Sequence, residues 1–126
     1  MSKVMLEFKD VSFSYNSTAN VQSLNAKIEK GDFVAVIGSN GAGKSTFSKL
    51  CNGLLIPTEG DVFVLGKNTR REKVSNLAKH IGFLFQNPDR QICCNTVAEE
   101  IAFSLKNNGL KADEVKARVE AALAEF

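Results

Sequence analysis

The chain has 126 residues, and 16 basic side chains against 14 acidic ones leave it a formal net charge of +2. Apolar residues make up 44% of the sequence, which is enough for the core of one domain and too many for a disordered chain. The near-balance of charge argues against a nucleic-acid-binding protein, which usually carries a clear excess of Lys and Arg. No apolar run approaches the roughly 20 residues of a membrane-spanning helix, and the N-terminus lacks the apolar stretch of a secretory signal.

The first third of the chain predicts strands followed by a helix. Residues 4–15 alternate apolar and polar side chains, and residues 21–30 have near period-two patterning, so both segments are predicted strands. The short apolar run FVAVI at 33–37 is typical of a strand covered on both faces, as in a parallel sheet. Residues 44–52 predict a helix, with Gly53 as its C-terminal stop.

The remainder continues to alternate strands and helices. Residues 61–65 predict a strand, residues 70–79 a helix with Val74, Leu77 and Ala78 facing inward, and residues 81–85 (IGFLF) another buried strand. This order, after an antiparallel start, predicts an α/β domain with a β-rich N-terminal part.

Two further helices are predicted near the C-terminus. The sequence TVAE at 96–99 is a capping box, in which the hydroxyl of Thr96 accepts from the N–H of Glu99 while the Glu99 side chain reaches back. The last predicted helix covers residues 112–126. Three cysteines, with Cys93 and Cys94 adjacent, fit neither a disulfide framework nor a zinc-binding spacing and predict reduced thiols of a cytosolic protein.

The segment GSNGAGKS at 38–45 matches the phosphate-loop pattern G-x-x-x-x-G-K-[ST], with a predicted strand before it and a predicted helix after it. Glycines allow backbone N–H groups to wrap around phosphate oxygens, and the start of the helix adds open N–H groups and the positive end of its dipole. Lys44 is expected to reach the β- and γ-phosphates, and the Ser45 hydroxyl to ligate Mg²⁺. The predicted nucleotide-binding residues of the loop are Gly38, Ser39, Asn40, Gly41, Ala42, Gly43, Lys44, Ser45 and Thr46.

The loop by itself leaves GTPases, helicases, kinases and transport ATPases open. The segment GDFVAVIGSNGAGKST resembles the phosphate-loop region of ATP-binding cassette (ABC) ATPases, and GLLIPTEGDVFVLGK resembles the turn and strand that follow it there. IGFLFQNPDRQI resembles the Q-loop of the energy-coupling-factor and cobalt-transport branch, and TVAEEIAFSLKNNGL continues that pattern. The resemblance covers essentially all 126 residues. It implies that residues 1–126 are the N-terminal portion of one ABC-type nucleotide-binding domain, an α/β P-loop NTPase fold with an antiparallel β subdomain and an incomplete parallel core sheet.

The resemblance also implies roles by position. Tyr15 matches the aromatic residue that stacks on adenine, although a strand aromatic that packs on the core is the alternative. Gln86 matches the glutamine that approaches Mg²⁺ and the γ-phosphate, so Lys44 and Gln86 are the implied catalytic residues, and Ser45 and Gln86 the implied metal ligands. Residues 89–92 match the loop that faces the membrane partner, although an ordinary polar loop is nearly as good a description.

The implied cofactors are ATP and Mg²⁺. The implied partners are a second ATP-binding subunit, identical or paralogous, and a transmembrane transporter subunit contacted through the Q-loop region. Such a subunit of a metal-ion or vitamin importer would lie at the cytoplasmic face of the membrane and would bind no nucleic acid. Two alternatives stay open: a nucleotide-binding module that never hydrolyses, and a soluble ABC ATPase outside transport.

Three family features do not occur in the 126 residues: the signature L-S-G-G-Q, the aspartate strand with its catalytic glutamate, and the switch histidine. We therefore expect ATP hydrolysis of a longer, complete protein and an inactive 126-residue chain. In the family fold the missing strands lie between the runs at 33–37 and 81–85, so these runs are expected to flank a gap with unpaired backbone and exposed apolar faces. The isolated chain is accordingly expected to be poorly stable or to aggregate.

Overall fold

The chain divides into two units, Met1–Gly82 and Phe83–Phe126, of which the computed structural model describes residues 3–15, 18–38 and 43–126. The first unit contains an antiparallel sheet of four strands in the order β2-β1-β3-β4. Its strands are β1 (Val4–Tyr15), β2 (Thr18–Glu29), β3 (Glu59–Val64) and β4 (Lys67–Asn68). The predicted antiparallel start of the α/β fold is therefore confirmed.

A bulge in β1 determines which side chains reach the core. The pairing of β1 with β2 shifts register between Phe8 and Val11, and the intervening Asp10 has a φ of 49°. Asn25 holds this bulge from the neighbouring strand, because its Oδ1 accepts from the Asp10 N–H at 3.0 Å and its Nδ2 donates to the Asp10 carboxylate at 2.9 Å. The extra residue changes the alternation, so Phe8, Val11 and Phe13 are all buried.

Helix α1 (Lys44–Cys51) packs its buried side against this sheet. Leu50 is fully buried with Phe8 and Val62, and the ring of Phe47 stacks on that of Phe8 with centroids 4.9 Å apart. Each fully buried side chain of this size contributes about 1.5–3 kcal/mol of transfer free energy. This core fixes the helix whose first residue follows the phosphate loop.

Two apolar runs do not form the strands that the sequence predicts. Residues 33–37 and 81–85 belong to no strand of the described part of the chain. The side chains of Phe33 and Ile37 are 98% and 92% exposed, and Leu84 is 78% exposed. An apolar run becomes a strand only when a neighbouring strand satisfies its backbone groups, and within the described residues the sheet ends at β2 and β4.

The helix predicted at 70–79 is also much shorter than expected. Only α2 (Val74–Leu77) is helical, and of the three side chains predicted to face inward only Leu77 is buried. Asn68 and Arg70 account for the difference, because the Asn68 side chain accepts from the Arg70 N–H at 3.0 Å, and the Arg70 guanidinium donates to the carbonyls of Pro57 and Gly60. These bonds hold the start of the predicted helix as a turn.

The second unit consists of a 3₁₀ helix (Pro88–Gln91) and two α-helices, α3 (Val97–Asn107) and α4 (Ala112–Glu125), which pack on each other with Ala102 and Val115 buried. The predicted N-cap of α3 is confirmed, since Thr96 Oγ1 accepts from the Glu99 N–H at 3.1 Å. The Glu99 carboxylate reaches back to the N–H of Asn95 at 3.3 Å. Among the described residues, no helix has both the length and the apolar character that a bilayer crossing requires.

Candidate nucleotide-binding site

The phosphate-loop segment leads into α1 through a glycine in the left-handed conformation. Gly43 is the N-cap of α1 with a φ of 94°, and it has no side chain that could cap the helix. The first turn of α1 contains no acidic residue. The start of an α-helix favours an anion through the positive end of its dipole and through its N–H groups, and no carboxylate of the first turn of α1 competes for that position.

A side-chain hydrogen bond joins the two described ends of the loop. The ammonium group of Lys44 donates to the carbonyl oxygen of Gly38. The positive charge of Lys44 therefore lies at the entrance to the loop as well as at the start of the helix. The predicted site residues Ser39, Asn40, Gly41 and Ala42 lie outside the described residues.

Ser45 and Thr46 differ in what they can offer a ligand. Ser45 is exposed, so its hydroxyl is accessible to a metal ion bound beside the loop. Thr46 is only 6% exposed. The Phe47 N–H donates to the Gly43 carbonyl at 2.8 Å, as in the first turn of an α-helix. A role for Thr46 in phosphate binding stays a prediction.

Tyr15 is the last residue of β1, and its surroundings fit both roles considered for it, packing on the core and stacking on a ligand. Its ring makes an edge-to-face contact with Phe13, with centroids 4.8 Å apart and the planes at 84°. Phe13 is buried, whereas Tyr15 remains 45% exposed. Tyr15 therefore packs on the edge of the core and keeps ring surface on which a flat ligand could stack. Stacking on adenine stays a prediction.

Gln86 belongs to the second unit, in the segment that precedes the 3₁₀ helix, and its side chain is exposed. The backbone before it is held by Gln91. The Gln91 Oε1 accepts from the Phe85 N–H at 2.6 Å, and its Nε2 donates to the Phe83 carbonyl at 3.0 Å. A glutamine amide can pair with a backbone in this way because it offers both an acceptor and a donor. Gln91 belongs to the segment expected to face the membrane partner, and no local pattern of the sequence indicates that it also positions this backbone.

The second unit contains one more cluster that sequence reasoning missed. The sulfur atoms of Cys93 and Cys94 and a carboxylate oxygen of Glu100 all lie within 4.8 Å of one another. The spacing of the cysteines alone gave no sign of it, because the third group comes from the first turn of α3. The signal in the sequence that could have indicated the cluster is Glu100, an acidic residue six positions after Cys94.

Similarity to known proteins identifies the family of this chain. The ABC transporter family profile matches residues 21–126. The chain belongs to the ABC transporter family. The energy-coupling factor transporter ATP-binding protein EcfA1 of Clostridium novyi is 41% identical over 129 residues, covering 98% of this chain and 46% of that protein.

Solved structures of ABC family members share the fold. The cbiO1 protein of Clostridium perfringens, part of the ABC transporter complex cbiONQ, superposes with a TM-score of 0.83 at 31% identity, over 97% of this chain and 50% of its own. A dimeric ATP-binding cassette in a post-hydrolysis state, bound to ADP and Pi, gives a TM-score of 0.75 at 28% identity, over 95% of this chain and 56% of its own. The fold is that of an ABC ATPase. The chain spans about half the length of these ABC family proteins.

Proposed function

We propose that this chain forms the ATP-binding part of an ABC importer subunit of the energy-coupling-factor type. The complete protein binds Mg-ATP and hydrolyses it to drive the uptake of a metal ion or a vitamin. The start of α1 carries this proposal: a left-handed Gly43, a first turn without acidic residues, an exposed Ser45 and the Lys44 ammonium hydrogen-bonded to Gly38. The names of the energy-coupling factor relatives support the transport assignment.

Each described residue has a specific task in this proposal. The N–H groups at the start of α1 and the Lys44 ammonium hold the β- and γ-phosphates, and the Ser45 hydroxyl is the ligand for Mg²⁺. The metal neutralises phosphate charge when bound. Tyr15 stacks on the adenine, and Gln86 senses the γ-phosphate and the metal from a backbone that Gln91 holds in place.

The proposed partners follow the same relatives. A second ATP-binding subunit would pair with this one, as in the solved dimeric cassette. A transmembrane subunit would contact the segment after Gln86, in keeping with the membership of cbiO1 in a transporter complex. The subunit would then be held at the cytoplasmic face of the membrane by its partner.

Substitution of Lys44 tests the proposal in the complete protein that contains this chain. Lys44→Ala is expected to abolish phosphate release and weaken binding of a fluorescent ATP analogue, because the ammonium contacts the phosphates directly. Lys49→Ala is the matched control, since Lys49 lies in the last turn of the same helix. Unchanged turnover in Lys44→Ala would remove the proposed role of Lys44. Binding without phosphate release in the unsubstituted protein would favour the alternative of a non-hydrolysing module.

A further inference from the structure

The segment between the 3₁₀ helix and α3 brings two thiols and a carboxylate together. Glu100, in the first turn of α3, accepts at Oε2 from the N–H of Cys93 at 3.1 Å and from the N–H of Cys94 at 2.9 Å. These two bonds fix the carboxylate beside the Cys-Cys peptide. The other carboxylate oxygen, Oε1, is 3.9 Å from the Cys93 sulfur. Backbone groups thus hold the carboxylate next to the two sulfur atoms.

We propose that Cys93, Cys94 and Glu100 bind a thiophilic divalent cation, with Zn²⁺ as the ion that fits them best. The donor atoms all lie within 4.8 Å of one another. Tetrahedral coordination at about 2.3 Å for sulfur and about 2.1 Å for oxygen separates ligand atoms by roughly 3.5–3.8 Å. Closure onto the ion therefore requires movements of about 1 Å, which rotation of the exposed Cys93 side chain can supply.

The ligand set distinguishes Zn²⁺ from other cations. Two thiolates are too soft for Mg²⁺ or Ca²⁺, which prefer oxygen ligands, whereas a thiolate site for Cu(I) does not use a carboxylate. Three protein ligands leave a fourth position for water, as in open zinc sites. All three cysteines are free thiols in the structure, so the two sulfur ligands are available.

The Glu100 carboxylate is the negative group of the cluster, and its hydrogen bonds from the N–H groups of Cys93 and Cys94 hold it beside the sulfur atoms. The pKa of the Glu100 carboxyl is lowered, chiefly by the hydrogen bond from the Cys94 N–H, so Glu100 is an anion at neutral pH. Partial burial, together with Cys93 and Glu100, raises the pKa of the Cys94 thiol to about 11. A bound cation would favour the thiolate form and release its proton.

Cadmium titration of the reduced, complete protein, without nucleotide, tests the site. Cd²⁺ is expected to produce thiolate-to-metal charge-transfer absorption, which Zn²⁺ abolishes by competition. Substitution by Cys93→Ser, Cys94→Ser or Glu100→Gln should weaken cadmium binding by about tenfold or more, since even groups outside the ligand shell change metal affinity about 10- to 100-fold. Glu99→Gln is the matched control from the same turn, and Cys51→Ser is the control for a thiol outside the cluster. Absence of the absorption, or unchanged affinity in Glu100→Gln, would overturn the three-ligand site.

A second measurement needs no substitution and therefore does not depend on the folding of a variant. Zinc is expected to slow alkylation of Cys93 and Cys94 in the unsubstituted protein, measured by peptide mass spectrometry. Cys51 serves as the internal reference, because it lies outside the cluster and zinc is not expected to change its alkylation rate. Burial raises the pKa of its thiol to about 12. Equal labelling of Cys93 and Cys94 with and without zinc contradicts the proposal.

Discussion

Two glycines of the sheet unit share a backbone conformation and differ in their surroundings. Gly60 and Gly66 have φ values of 77° and 79°. A Cβ at Gly60 would collide with the backbone carbonyls of Lys9 and Asp10, at the bulge of β1, whereas a Cβ at Gly66 would meet nothing within 4 Å. The pair therefore separates the cost of the left-handed conformation from the cost of steric overlap.

Substitution of each glycine by alanine is expected to destabilise the protein to different extents. Gly66→Ala should lower the free energy of unfolding by about 1–2 kcal/mol, the cost of a left-handed L-residue. Gly60→Ala should lower it by roughly 2–5 kcal/mol, because displacement of the β1 backbone adds about 1–3 kcal/mol to the same strain. Urea denaturation of the two variants and the unsubstituted protein gives the comparison. Equal losses would show that the β1 bulge moves aside without cost.

The sequence contains no local sign that Gly60 is the more constrained of the two. Gly60 directly precedes the predicted strand at 61–65 and Gly66 directly follows it, so both predict turns equally well. The collision arises because β3 pairs with β1 in the register that places Glu59 opposite Ser12 and Asp61 opposite Lys9. A register between strands about 50 residues apart depends on tertiary packing, which no window of the sequence contains.

Elements with local signals were predictable, and those that need a distant partner were not. Period-two alternation predicted β1 and β2, and the pattern of residues 44–52 with Gly53 as the C-terminal stop predicted α1. The runs at 33–37 and 81–85 have an equally clear apolar character, yet they join no strand among the described residues. Likewise, the Gln91 side chain forms the hydrogen bonds to the backbone of Phe83 and Phe85 that a neighbouring strand forms in a sheet. A side chain that pairs with backbone six and eight residues away has no periodic signature.

Substitutions at Gln91 are expected to change the hydrogen bonding of the segment before Gln86. Gln91→Leu removes both bonds, and loss of a bond worth about 1 kcal/mol should make the Phe85 amide exchange roughly fivefold faster. Gln91→Glu is the matched variant, because its carboxylate can still accept from the Phe85 N–H but has no N–H to donate to the Phe83 carbonyl. Hydrogen exchange resolved to single amides should therefore show faster Phe85 exchange in Gln91→Leu than in Gln91→Glu. Identical exchange in all three proteins would remove the positioning role of Gln91.

At the scale of the whole molecule, both segments that were predicted as buried strands have exposed apolar side chains. Phe33 and Ile37 in the first unit and Leu84 in the second are almost entirely accessible, whereas Phe8 and Val62 of the neighbouring sheet are buried. Exposed apolar side chains that lie close together in one segment, as at residues 33–37, mark an interaction site or an aggregation hazard. Unpaired extended backbone adds to the hazard, because it offers hydrogen-bonding groups to other chains.

A polypeptide limited to residues 1–126 is therefore expected to be poorly stable or to aggregate. The double substitution of Phe33 and Ile37 by Ser should reduce its aggregation, since both side chains are exposed and contribute little to the core. Phe8→Ser is the opposing control, because that ring fills the core against Phe47 and its loss should destabilise the sheet. Light scattering during heating, combined with circular dichroism, distinguishes the variants. A monomer that melts cooperatively above about 45 °C, the low end of the range for mesophilic domains, would contradict the expectation. Such a result would show that the sheet and helices fold stably even when no other element covers residues 33–37.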